Sequence, residues 1–310
     1  MQYYFAPLEG ITTYIYRNTH KKYYKGIDKY FMPFVSPTMH GSFTPRERKD
    51  VIPEHNKDIT AVPQILTNNT EYFIQTAKEL KEYGYTEVNL NLGCPSNTVV
   101  TKCKGAGFLS ETYRLERFLD EIFAKCEMKI SVKTRIGRYE EEEFTDLLSI
   151  YNKFPMEELI IHPRVQQDYY KNPIHMECFL DAIAKSKHSI CYNGDLFTIK
   201  DYENLRKQAP NIDKVMFGRG AIGNPALIQE ICYGKKVQKE NGEREVFWKF
   251  HNELFELYQQ EIGNNALFKM KELWVYMSRL FPEEEKCLKK IRKAQKMRDY
   301  ENALMGLNGE

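Results

Sequence analysis

The chain has 310 residues, 42% of them apolar and 28% charged, with a formal net charge of +2. That balance fits an ordinary soluble protein and excludes a disordered or fibrous one. No apolar run reaches membrane length and residues 1–7 form no signal peptide, while seven cysteines, an odd number without a C-x-x-C pair, argue against a disulfide framework or zinc ribbon and for a reducing cytoplasm.

In chain order, short apolar runs recur about every 30 residues, the spacing of strand–helix–strand units. They cover residues 3–7, 31–35, 61–66, 87–92, 129–134, 158–162, 189–193 and 214–217. Amphipathic patterns lie between them. The clearest spans 70–83, with Thr70 read as its N-cap and Gly84 as its stop. Residues 111–125, 140–153, 177–187 and 199–208 follow. The second unit, 36–56, contains Pro37, Pro45 and Pro53 and cannot hold a long helix. Eight strand-like runs alternating with helices predict an α/β fold, a (β/α)8 TIM barrel over residues 1–234. A doubly wound open sheet is the competing reading, weakened because no G-x-G-x-x-G follows the first strand.

Residues 235–245 are polar and read as a linker. Residues 246–310 then read as a small all-α helical domain. Phe247, Phe250, Leu254, Leu257 and Tyr258 fall at three- and four-residue spacing, as do Leu267, Met270, Leu273, Trp274 and Met277, then Leu288, Ile291, Ala294 and Met297. Residues 231–310 carry 15 Lys and Arg against 13 Asp and Glu, whereas residues 1–230 carry 30 of each. The excess gathers in residues 286–298, with seven basic side chains and no acid. Such a run is usually a solvated helix face. The lack of any acid points further, to nucleic-acid contact through Lys289, Lys290, Arg292, Lys293 and Lys296.

In a barrel the site lies at the rim made by the loops after the strands. The run Asn89-Leu90-Asn91-Leu92-Gly93-Cys94-Pro95-Ser96 reads as a strand entering a tight turn that presents a thiol. Asn89 and Asn91 share one strand face, where buried amides need polar partners. On spacing alone Cys94 reads equally well as an inert core thiol. Other strand ends offer Pro7, Leu8 and Glu9, then Gln64, Lys133 with Arg135, His162, Asn193-Gly194-Asp195 and Gly218-Arg219-Gly220. Glycines in the last two loops let backbone N–H groups approach an anion. Barrels commonly bind phosphate after strands 7 and 8, and Arg219 adds a positive fork. A phosphorylated cofactor clamped there is expected.

These motifs, in this order, resemble the tRNA-dihydrouridine synthases over about residues 4–307. The resemblance is carried by Ala6-Pro7-Leu8-Glu9-Gly10-Ile11-Thr12 with Arg17, by Gln64 and by Asn91-Leu92-Gly93-Cys94-Pro95-Ser96. Lys133-Thr134-Arg135-Ile136-Gly137, His162-Pro163-Arg164, Asn193-Gly194-Asp195 and Gly218-Arg219-Gly220-Ala221 complete it. It implies an FMN-bound barrel with a helical RNA-binding domain, reduction of a uracil C5=C6 bond in tRNA, and NADPH as electron source. Carried over, Pro7, Leu8 and Glu9 form the loop beside the flavin, and Gln64 and Lys133 contact its ring. His162 lies near it. Asn193, Gly194, Asp195, Gly218 and Arg219 hold the phosphate end. Cys94 matches the general acid, and Asn91 and Arg135 orient the uracil. A cytoplasmic monomer acting on tRNA, with no metal, membrane or obligate protein partner, is the resulting expectation.

The chemistry agrees with these roles. A thiol of ordinary pKa, about 8.5, is protonated at neutral pH and can give a proton to C5. A lysine beside a flavin stabilises negative charge on it. The target base must leave its stack to reach a barrel rim, and the phosphates need basic anchors at a distance. Two departures bear on the choice of RNA site. Thr13 stands where many members carry Asp, and bulky Phe108 lies in a stretch, 105–110, that is small and Ala-rich in the family. The same reaction on ribosomal RNA, a small-molecule dihydropyrimidine or dihydroorotate-type FMN oxidoreductase, and a non-catalytic RNA-binding module are the alternatives.

Overall fold

The structure, a computed structural model, describes residues 1–233 and 241–308. Eight parallel strands close into a barrel in chain order. They are β1 (Gln2–Phe5), β2 (Lys29–Val35), β3 (Ala61–Ile65), β4 (Glu87–Leu92), β5 (Lys129–Gly137), β6 (Leu159–Val165), β7 (Ile190–Tyr192) and β8 (Lys214–Phe217). Strand β1 pairs with both β2 and β8, so no edge is left open. The expected TIM barrel is the observed fold, and the open sheet is excluded.

Strand side chains alternate between the barrel interior and the helical layer. Tyr4, Ala6, Phe31, Val62, Ile160, Cys191 and Met216 form an apolar plug inside the barrel. Beneath it, where the strands begin, lies an ion-pair floor. Glu158 accepts from Lys29 at 2.9 Å, Lys214 at 3.2 Å and the Tyr4 hydroxyl at 2.9 Å. Lys29 also reaches Glu87 at 2.7 Å. Side chains of the opposite parity, such as Phe5, Val88, Leu90 and Ile161, join the core shared with the helices.

Several elements differ from expectation for local reasons. The helix Thr70–Glu82 is capped by Asn69, whose side chain accepts the Tyr72 N–H at 2.9 Å, so Thr70 is helical rather than the cap. Gly84 ends it at φ +92°, a conformation glycine adopts without strain. In the second unit a capping box, Thr44 with Glu47, starts the short helix Pro45–Val51. Phe108, the bulky departure, is buried edge-on against Phe118 and belongs to the core.

Of the expected linker, 235–240 lie outside the described residues, and 241–245 already belong to the helix Asn241–Ile262. This helix, Ala266–Met277, Glu285–Lys293 and Met297–Asn308 form the C-terminal part. Trp274 donates to the Tyr300 hydroxyl at 2.8 Å, and that hydroxyl donates in turn to His251 at 2.9 Å. Burial pushes His251 down to about 4, so it stays a neutral acceptor. The basic run is not one helix, because 294–296 separate two. Leu288 and Ile291 face inward, and Lys289, Lys290, Arg292, Lys293 and Lys296 are all exposed.

The long helix Asn241–Ile262 lies along the first barrel helix, Tyr14–Tyr23. Phe250 meets Tyr16, His20 and Tyr24 edge-on. Glu253 accepts from Lys22 at 2.6 Å and from Tyr23 at 2.7 Å. The second departure, Thr13, sits at this junction, 3.2 Å from the Tyr258 hydroxyl. No helix of the described residues is long and apolar enough to cross a membrane.

Candidate active site

The loop after β1 is held from two sides. Arg17, fully buried, donates to the Thr12 carbonyl at 2.8 Å and to Asn56 at 2.7 Å. The Leu8 N–H donates to the Thr12 hydroxyl at 2.9 Å. From the helical part, Lys269 donates to the Gly10 carbonyl at 2.6 Å. Gly10 itself has φ +73°. The loop so fixed turns Pro7 and Leu8 toward an open cavity at the C-terminal ends of the strands, the face where barrels place their sites.

Pro7, Leu8, Lys133, His162, Asn193, Gly194, Asp195, Gly218 and Arg219 all line this cavity. Glu9 and Gln64 do not: Glu9 is exposed on the rim, and Gln64 is buried between Asn89 and Asn91. Asn91 and Lys133 stand opposite each other in the β4–β5 register. Lys133 is half-buried and makes no hydrogen bond or ion pair among the described residues. Burial first, then the Arg135 charge, pushes its ammonium down to about 8.

His162 is buried beside four cations. Burial, then Arg135, Lys133, Arg164 and Arg219, holds it well below the ordinary histidine value, so the ring is neutral. Arg164 donates to its Nε2 at 3.1 Å, which places the ring proton on Nδ1. Asp195 accepts a two-pronged fork from Arg164, at 3.0 and 2.5 Å, and a third bond from Arg219 at 2.5 Å. Burial alone would raise this carboxyl, but the Arg164 and Arg219 pairs hold it below the usual range. The Asp195 carboxylate thus fixes the position of the Arg219 guanidinium at the cavity.

Two glycines of this rim answer to packing. A Cβ on Gly194 would lie 2.0 Å from the Tyr192 hydroxyl, and one on Gly220 would lie 1.8 Å from the Leu196 carbonyl oxygen. Sequence reasoning missed two aromatic residues. Tyr170 stacks on His162 with centroids 5.9 Å apart and lies 4.3 Å from the Arg219 guanidinium. Phe197 lies between Arg219, at 5.4 Å, and Arg279 of the helical part, at 4.1 Å. The available signal was the Tyr169-Tyr170 pair soon after His162-Pro163-Arg164.

Cys94 opens the loop after β4, with Lys133 and Arg135 close enough to act on its thiol. Burial raises the thiol most, and Glu9 adds to this. The Ser96 backbone N–H, Arg135 and Lys133 pull the other way, and the net effect is upward. The side chain is therefore S–H at neutral pH. Its loop is pinned by Asn91, whose Oδ1 accepts the N–H groups of Gly93 and Cys94, both at 3.0 Å. Arg135 is 0% exposed and clamps two loops together. It donates to the carbonyls of Gly93 at 3.1 Å, Val165 at 2.7 Å and Tyr169 at 2.6 Å. Both residues expected to orient substrate thus hold loops in this conformation.

The chain matches the sequence model of the family described as Dihydrouridine synthase (Dus) over residues 4–309. A tRNA-dihydrouridine(16) synthase of Cupriavidus necator is 25% identical over 314 residues, covering 98% of this chain and 96% of the relative. Another, from Neisseria meningitidis serogroup B, is 23% identical over 314 residues, covering 96% and 92%. Among solved structures, a variant of NCR from Zymomonas mobilis superposes with a TM-score of 0.54 at 12% identity, over 78% of this chain and 89% of that one. At that identity the likeness is one of fold.

Proposed function

Because the chain belongs to the dihydrouridine synthase family, we propose that it reduces uridine in tRNA to 5,6-dihydrouridine, with FMN as its cofactor and NADPH as reductant. One observation carries the reading. A cavity with an unpartnered ammonium, a neutral imidazole and an aimed guanidinium lies beside a protonated thiol on a pinned loop. The lining fits a phosphorylated, electron-accepting ring system, whose phosphate Arg219 would hold and whose ring Lys133 would approach. FMN, when bound and reduced, supplies hydride for uracil C6.

The chain's own residues do the rest. Lys133 offers a positive charge poorly screened by water, where negative charge on the cofactor is best stabilised. His162, neutral with its proton on Nδ1, donates one hydrogen bond without adding charge. Cys94 holds the proton destined for uracil C5. A carboxylic acid of ordinary pKa would already have lost that proton at neutral pH. Asn91 and Arg135 hold the thiol's loop, and the substrate contacts expected of them become a second, smaller role. The exposed cations Lys289, Lys290, Arg292, Lys293 and Lys296 serve the tRNA backbone, in the cytoplasm and from a single chain.

The test is reconstitution. The purified protein should take up FMN, turn yellow and form dihydrouridine in tRNA with NADPH. Cys94→Ala should lower turnover by roughly 10²–10⁴-fold with FMN still bound. Failure to bind FMN, or full turnover in Cys94→Ala, would sink this reading. Activity on free dihydropyrimidines but not on tRNA would move it to the small-molecule oxidoreductases.

A further inference from the structure

A line of hydrogen bonds runs up the barrel interior from the ion-pair floor to the cysteine loop. Glu87, paired with Lys29 at 2.7 Å, accepts the Ser131 hydroxyl at 2.7 Å. Ser131 accepts Asn89 Nδ2 at 2.9 Å. Asn89 Oδ1 accepts Gln64 Nε2 at 2.7 Å, and Gln64 Oε1 accepts Asn91 Nδ2 at 2.7 Å. Asn91 Oδ1 then accepts the backbone N–H groups of Gly93 and Cys94.

The direction of this line is forced at both ends. Backbone N–H groups can only donate, and an ionised carboxylate can only accept. Between them each carboxamide has one permitted facing, because turning any one over would set donor against donor or acceptor against acceptor. Aligned donors in a low-dielectric interior strengthen one another, and a group that loses its partner there is destabilised. Ser131 is the one link that is neither a carboxamide nor part of the floor's ion pairs. Its register partner across β4–β5 is Asn89, two strand positions below Asn91.

We propose that Ser131 is a positioning residue for the Cys94 thiol. Its hydroxyl, held by Glu87, anchors the lower end of the Asn89–Gln64–Asn91 line, and through Asn91 it steadies the loop that presents the proton donor. The inference rests on the reading of Cys94 as that donor. Without the hydroxyl, Asn89 Nδ2 has no acceptor, the line of carboxamides loses its anchor on the floor, and the loop it supports loosens and admits water. The charged groups acting on the thiol, Glu9, Lys133 and Arg135, are left in place.

The test reads the thiol directly. Full-length wild type, Ser131→Ala and Ser131→Thr are alkylated with iodoacetamide between about pH 6 and pH 10, and labelling of the Cys94 peptide is followed by mass spectrometry. In Ser131→Ala the midpoint should fall by about half a pH unit, so that labelling at neutral pH rises roughly threefold. Ser131→Thr, which keeps the hydroxyl, should restore the wild-type profile. If Ser131→Ala does not accumulate as folded protein, Ser131→Cys, similar in size with a weaker donor, takes its place. An unchanged profile, or no rescue by Thr, overturns the proposal. Dihydrouridine formation measured in parallel should show a lower kcat with KM for tRNA little changed. A shifted profile in a protein that makes no dihydrouridine would retain the relay and remove the functional reading.

Discussion

Replacing Lys133 by Met exchanges an unpartnered ammonium for an apolar side chain of similar length. The ammonium is pushed from 10.5 to about 8, mainly by burial. At ~1.36 kcal/mol per pH unit that drop corresponds to about 3 kcal/mol for carrying the charge in the free protein. Lys133 keeps some exposure, and solvent relaxation lowers the effect to about 1–2 kcal/mol. Lys133→Met should therefore make the cofactor-free protein more stable by about that amount at pH 7, read as a raised urea midpoint. The advantage has a defined pH window. Below pH 8 the lysine is protonated folded and unfolded, and the folded state bears the full penalty. Between about 8 and 10.5 the unfolded chain binds the proton and the folded chain releases it, so wild-type stability rises with pH. The gap between the two proteins should narrow there. The same variant should bind FMN more weakly, by absorbance titration. A Met variant no more stable than wild type at pH 7, or a gap that persists at high pH, would refute the account of Lys133 as a desolvated, unpartnered cation.

Arg135→Met removes three charge-assisted bonds to loop carbonyls and should destabilise the fold by about 3 kcal/mol or more in chemical denaturation. Phe108→Leu should lower stability by about 1–2 kcal/mol and leave the modified uridine unchanged when dihydrouridine is mapped by sequencing, because Phe108 lies in the core. Lys290→Ala with Lys293→Ala should weaken tRNA binding and reduce the slope of log affinity against log salt by about one for each phosphate no longer neutralised. A slope equal to that of wild type would take the RNA-facing role away from that helix.

What can be read from the sequence follows from short-range rules. Alternation ending in Gly93-Cys94-Pro95 marks β4 with its observed bounds, and eight such runs mark the closed barrel. The helix Tyr14–Tyr23 buries Arg17, Thr19 and His20 beside Ile15 and Tyr16. It is covered by the barrel on one side and by Phe250 and Glu253 on the other, so apolar and polar residues are both buried along it. Strand-end position makes Asn91 and Arg135 look like substrate contacts, because it says where a side chain begins. It does not say which loop carbonyls come to meet Arg135, and those arrive from residues 93, 165 and 169. Asp195 illustrates the same limit: its acidity makes sense only with Arg164 and Arg219 converging on it. The repeated amides of β4 do announce a polar interior, though not that it reaches as far as Glu87.

The grip of Lys269 on Gly10, together with the Thr13–Tyr258 contact, bears on how such a protein can be taken apart or recombined. The turn that borders the rim cavity takes one of its anchors from the helical part. A barrel cut away from those helices would expose Tyr16 and Tyr24 and deprive that turn of its Lys269 anchor, leaving only the Thr12 and Arg17 bonds within the barrel. Exchanging the helical part between relatives to redirect RNA choice would therefore succeed only if the graft brings its own lysine and its own partner for position 13.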